Sequence, residues 1–112
     1  MSQQQIEMVE LSLEMATKAV ATRDAILRLS KNRDFKKIIM DGFLNDDAAR
    51  LAHLSSDAII SDEVRASVMR DLNGCGALKR YLFTQTTKGN QAEDAISVDR
   101  DTLDELRNEQ EG

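Results

Sequence analysis

Residues 33–54, RDFKKIIMDGFLNDDAARLAHL, read as a helix stop followed at once by a helix start. Phe35, Ile38 and Ile39 are spaced i, i+3, i+4, the apolar stripe of a helix. Asp34 stands where an acid favours the positive end of the helix dipole. Gly42 suits the left-handed conformation with which helices commonly end, because it has no Cβ to clash. In such a stop Phe43 packs on Ile38. Asn45 then offers an N-cap oxygen, with Asp46 and Asp47 in the first turn. Ala48, Leu51, Ala52 and Leu54 continue an apolar face. The expectation is a pair of short helices with a brief connection, packed as a hairpin or corner.

On the N-terminal side, residues 3–30 predict one long helix. Ile6, Leu13, Val20 and Leu27 recur every seven residues, and Val9 and Ala16 fill the intermediate position. Met8, Met15 and Leu29 widen the stripe, whereas Arg23 and Ser30 break the intermediate series. About three heptads suit either an amphipathic helix packed on its own domain or the seam of a dimer. Ile6, Val9, Leu13, Ala16, Val20 and Leu27 are therefore the candidate oligomer face.

On the C-terminal side, residues 55–61 read as a short linker with Ile59 and Ile60 turned inward. Ser61 reads as an N-cap, with Asp62 and Glu63 behind it. Val64, Val68, Leu72, Cys75, Leu78 and Leu82 then keep helical phase through Gly74-Cys75-Gly76. That favours one helix from residue 62 to about 83, straight or kinked, over a break at Gly74. Each interior glycine costs on the order of 1 kcal/mol relative to alanine. Residues 84–91, TQTTKGNQ, are polar and predict a linker. Thr102-Leu103-Asp104-Glu105 matches a capping box, and Ile96, Val98, Leu103 and Leu106 are candidate docking anchors.

Composition agrees with an all-α protein. The 112 residues include no proline, five glycines and 4% aromatics, too little β-branched and aromatic density for sheets. The net charge of −5 is unevenly spread. Residues 1–89 hold 13 Lys+Arg and 12 Asp+Glu, net +1, whereas residues 90–112 hold 2 and 8, net −6. The expected organisation is a helical body over 1–89 and an acidic, flexible tail over 90–112 with a short docking helix. The predicted fold is a small helical bundle: a long N-terminal helix, a short helical corner and a long third helix.

The same residues argue against most chemistry. Cys75 alone excludes an internal disulfide and a Cys-rich zinc site, and between glycines on the apolar stripe it reads as a small core residue. His53 lacks a second ligand at metal spacing and a nucleophile for a triad. The Gly-x-Gly at residues 74–76 follows no strand and precedes no Gly-Lys-Ser/Thr, so it is not a phosphate loop. Arg28, Lys31, Arg33, Lys36 and Lys37 form a candidate basic contact. Without interleaved aromatics beyond Phe35, in an acidic chain, they read first as a solvated face, and nucleic acid is disfavoured. No catalytic, metal or cofactor residue emerges, so no enzyme is expected. Neither a leader nor a run long enough to span a membrane is expected either, which predicts a cytoplasmic protein.

The pattern D-F-K-K-I-I-x-D-G-F, then A-A-R-L-A-H-L, then R-D-L-N-G-C-G-A-L-K-R-Y-L resembles a group of small proteins encoded by tailed bacteriophages, over roughly residues 34–82. The resemblance implies a phage origin, a gene near those for virion and packaging proteins, and a place in the host cytoplasm or the virion. It carries over no functional residue. The expected function is a non-enzymatic one in virion assembly, through protein partners or a homo-oligomer, as a scaffold-like, chaperone-like or minor structural component. The alternatives are a phage inhibitor or modulator of a host protein and a nucleic-acid-binding accessory protein.

Overall fold

The computed structural model describes residues 2–111, and every regular element among them is helical. Helix α1 spans Ser2–Ser30. A turn follows, in which the Lys31 and Asn32 amides donate to the Arg28 and Leu29 carbonyls at 3.2 and 3.0 Å. Then come α2 (Arg33–Phe35), a π-helix (Lys36–Asp47), α3 (Ala48–Ser55) and the 50-residue α4 (Asp62–Glu111). The chain forms two compact units: Leu27–Phe83, and Met1–Ile26 with Thr84–Gly112.

In the unit Leu27–Phe83, the helix stop expected at Gly42 is absent. Helical backbone runs unbroken from Arg33 to Ser55, and no described residue has positive φ. The true corner lies earlier, at Lys31 and Asn32. Asn32 is the N-cap, its Oδ1 accepting from the Phe35 amide at 2.9 Å, with Asp34 in the first turn as expected. Glycine permits a left-handed residue but does not demand one. Here it serves a different purpose, since a Cβ on Gly42 would stand 3.1 Å from the Lys37 carbonyl oxygen, five residues back. That is the spacing that π-helical i→i+5 bonding brings together. Asn45 lies inside the π-helix and caps nothing.

The core of this unit is Leu51, Val68 and Cys75, with Phe43, Ala48, Leu54 and Leu72 against it. Phe43 thus packs on the core, and Ile38, its expected partner, is exposed. The linker is held by Arg65, whose Nη1 donates to the Ser55 carbonyl and whose Nη2 donates to the Asp57 carbonyl at 2.9 Å. A guanidinium there satisfies carbonyls at the C-terminal end of α3, where a cation also suits the dipole. Ile59 is exposed rather than tucked inward, because its amide bonds the Asp57 carboxylate at 2.9 Å in a tight local turn. Ser61 caps α4 as expected, accepting from the Val64 amide at 3.2 Å.

Helix α4 passes straight through Gly74 and Gly76, as the kept phase predicts, but does not stop near Phe83. The expected linker at 84–91 is helical, and so is the expected tail as far as Glu111. Thr102 is therefore an interior residue whose Oγ1 donates back to the Val98 carbonyl at 3.0 Å, not a cap. The two compact units cut the chain at residues 26/27 and 83/84, and the C-terminal half of α4 is hydrogen-bonded to α1.

Gly74 and Gly76 face open space: a Cβ at either position would meet nothing within 4 Å. Neither glycine is needed for close approach within the chain. Gly74→Ala and Gly76→Ala are each expected to stabilise the protein by about 1 kcal/mol, the helix propensity difference. Thermal unfolding followed by circular dichroism measures this, and the double variant should show the larger rise in midpoint.

Candidate interaction site

In the unit formed by Met1–Ile26 and Thr84–Gly112, α1 and α4 run antiparallel. The pairings show it: Gln110 with Gln3 at 3.4 Å, Arg107 with Glu10 at 3.0 Å, Ser12 with Asp99 at 2.8 Å, and Arg23 with Asn90 and Glu93. Along α1, Ile6 is buried, and Val9, Leu13, Ala16 and Val20 are half-buried. Along α4, Gly89 and Leu103 are buried, and Ala92, Ile96, Asp99 and Leu106 are half-buried. The candidate oligomer face is thus an internal seam, filled by the chain's own C-terminal segment. Only Leu27, in the other unit, stays exposed. Three of the docking anchors, Ile96, Leu103 and Leu106, lie in this seam, while Val98 points away from it and is exposed.

Arg23, set aside in the sequence as a break in the repeat, is buried in the seam opposite Gly89. Its Nη1 donates to Asn90 Oδ1 at 2.9 Å and Glu93 Oε2 at 2.8 Å. Its Nε and Nη2 donate to Asp24 Oδ1 at 3.1 and 2.9 Å. Hydrogen bonds to Glu93 and Asp24 outweigh the loss of water and raise the guanidinium pKa further. The hydrogen bond from Arg23, and then its charge, hold the Glu93 carboxyl below its usual value of 4.5. The clasp was legible in one respect. From Val68, steps of seven along α4 reach Cys75, Leu82, Gly89, Ile96 and Leu103, so Gly89 falls on the seam at the gap Arg23 needs.

In the unit Leu27–Phe83, Arg28, Lys31, Arg33, Lys36 and Lys37 are all exposed, gathered from the end of α1 to the start of the π-helix. His53 is also exposed, and the Asp57 carboxylate is engaged by the Ile59 amide. Met40, Asp41, Leu44 and Asn45 of the π-helix face Lys79 and Leu82 of α4 across a shallow depression of about 330 Å³. Beside Leu82 on the same helix, Phe83 is 71% exposed and Tyr81 is exposed as well. The depression sets Met40, Leu44 and Leu82 beside one acid, one amide and one lysine, with Phe83 exposed next to it in sequence, a mixture that suits recognition of another protein surface.

Among the described residues no group of three His, Cys, Asp or Glu side chains is placed to hold a metal ion. No helix among them is long and apolar enough to cross a membrane. No protein-family model, curated protein or solved structure matches the chain.

A Cβ at residue 89 would overlap the Arg23 Cβ and stand 2.9 Å from its Cγ and 3.0 Å from the Ala19 carbonyl oxygen. The root of a side chain and a backbone oxygen cannot swing aside. Gly89→Ala therefore gains about 1 kcal/mol of helix propensity but meets an overpacking cost of about 1–3 kcal/mol. The expected sign is destabilising, opposite to that at Gly74, and chemical denaturation of both variants tests the contrast. A carboxyl with a lowered folded-state pKa stabilises above its unfolded value and loses that contribution as pH falls through the folded value. Glu93→Gln should therefore destabilise at neutral pH, with the difference from wild type vanishing in acid below the usual carboxyl range.

Proposed function

We propose that this chain is a non-enzymatic phage protein that acts through protein–protein contacts in virion assembly, as a scaffold-like, chaperone-like or minor structural component. The observation that carries the contact reading is the exposed rim around Phe83. The chain has only four aromatic residues, Phe35, Phe43, Tyr81 and Phe83. Folding leaves Tyr81 and Phe83 exposed, and Phe83 adjoins Leu82, which lines the depression between the π-helix and α4. Aromatic side chains bring large contact area at small conformational cost and are enriched where proteins bind one another. The phage and assembly parts of the reading draw on the resemblance over residues 34–82, which includes Leu82 of the depression.

The test is affinity purification from infected cells with a tagged full-length chain and its Tyr81→Ser/Phe83→Ser variant. A capsid or portal protein is expected with the wild type and should be lost with the variant, while circular dichroism stays unchanged. Recovery of a host enzyme in place of a virion protein would overturn the assembly reading in favour of a host-protein modulator. Equal recovery with both chains would remove the rim from the argument.

A further inference from the structure

Helix α1 carries a second stripe besides its seam with α4, apolar over Met8, Leu11 and Met15. Met8, Leu11, Met15, Lys18, Thr22 and Ala25 alternate in steps of three and four. Each lies two residues beyond a seam position such as Ile6, Val9, Leu13 or Ala16, which is about 200° around a helix of 3.6 residues per turn. The series therefore runs along the side of α1 turned away from α4, with Met8 at its edge, where it borders a groove beside Thr102 and Leu106. It is exposed throughout: Met8 is 68%, Leu11 57% and Met15 64% accessible, and Lys18, Thr22 and Ala25 are exposed too. Alternating steps of three and four are what one helix offers another along a shallow supercoil.

Two features of this stripe identify its occupant. The first is size. The large residues Met8, Leu11 and Met15 fill its first half, and the small Thr22 and Ala25 its second half. Laid antiparallel on an identical stripe, Met8 meets the partner's Ala25, Leu11 meets the partner's Thr22, and Met15 meets the aliphatic stem of the partner's Lys18. Large then faces small in every layer. The second is charge. With Glu10 engaged by Arg107 and Arg23 turned into the seam with α4, the charges left beside the stripe are Glu7 and Glu14 in its first half and Lys18 in its second. A parallel pair would set like beside like. An antiparallel pair brings Lys18 next to the partner's Glu14. In the single chain Lys18 reaches its own Glu14 at 3.3 Å in an exposed pair, so either carboxylate satisfies it.

We infer that two copies of this chain associate through the outer face of α1, antiparallel about a two-fold axis passing between residues 16 and 17. Such an interface is isologous, each half of the stripe completing the other half of its copy. It is separate from the rim around Phe83 and does not rest on the function proposed above.

The test uses the full chain. Light scattering over a range of concentrations is expected to show a mass twice that of the 12.5 kDa chain, and Leu11→Glu should return it to the monomer with helicity unchanged. Leu11 is exposed in the single chain, so loss of the dimer would not reflect loss of the fold. For the orientation, a Met8→Cys chain is mixed with an Ala25→Cys chain and oxidised. A disulfide between the two different chains is expected, since bridged Cα atoms lie about 4.4–6.8 Å apart. A monomeric wild type, a dimer indifferent to Leu11→Glu, or ready self-bridging of the Met8→Cys chain alone would each overturn the inference.

Discussion

Arg23 lies across from a residue that has no side chain, and the hairpin of α1 and α4 depends on that match. A guanidinium in a helix seam loses water, and the loss is tolerable only where its nitrogens find acceptors. Glu93, Asn90 and Asp24 supply them, and Gly89 supplies the room. The pair also sets the register. A seam of seven-residue repeats can slide by one heptad with little change in its apolar contacts. Such a slide would put Arg23 against Ile96 and strand its charge. A polar residue at one seam position commonly trades stability for a single alignment in this way.

The other unit reaches its shape by a different device. Twelve residues of π-helix connect the Asn32 cap to α3 without a break. Half-buried residues within and beside that stretch, at Phe35, Ile39, Phe43 and Asp47, recur every four, a spacing that α-helical winding would carry gradually around the axis. Of these, Phe43 packs on the cluster of Leu51, Val68 and Cys75. The carbonyl ends of α3 and its linker are then met by Arg65.

Charge divides along the same lines. The unit Leu27–Phe83 holds 10 Lys+Arg and 8 Asp+Glu, net +2, and the hairpin unit holds 5 and 12, net −7. The acidity is therefore a property of a folded hairpin, contributed by both of its helices, and not of an appended tail. The two units therefore carry net charges of opposite sign. Each unit also leaves apolar groups exposed, Phe83 and Tyr81 on one and Met8, Leu11 and Met15 on the other.

Local chemistry was legible in the sequence wherever a structural outcome depended on neighbouring residues. The all-helical class, the long α1, the Ser61 cap, Asp34 in a first turn and the unbroken phase through Gly74 all follow from propensity, capping and periodicity. Ile96, Leu103 and Leu106, expected as docking anchors, lie in the seam with α1 of the same chain. A seven-residue stripe reads the same whether its complement lies in another chain or some eighty residues further along its own. Two leucines cannot hold an isolated helix in water, so residues 90–111 read as a tail unless α1 lies beside them. Gly42 could stop a helix or widen one, and only the packing of Phe43 into the core selects between the two. Tertiary structure alone turned Arg23 and Gly89, two separate faults in two separate repeats, into one contact, because their complementarity exists only when the two helices meet.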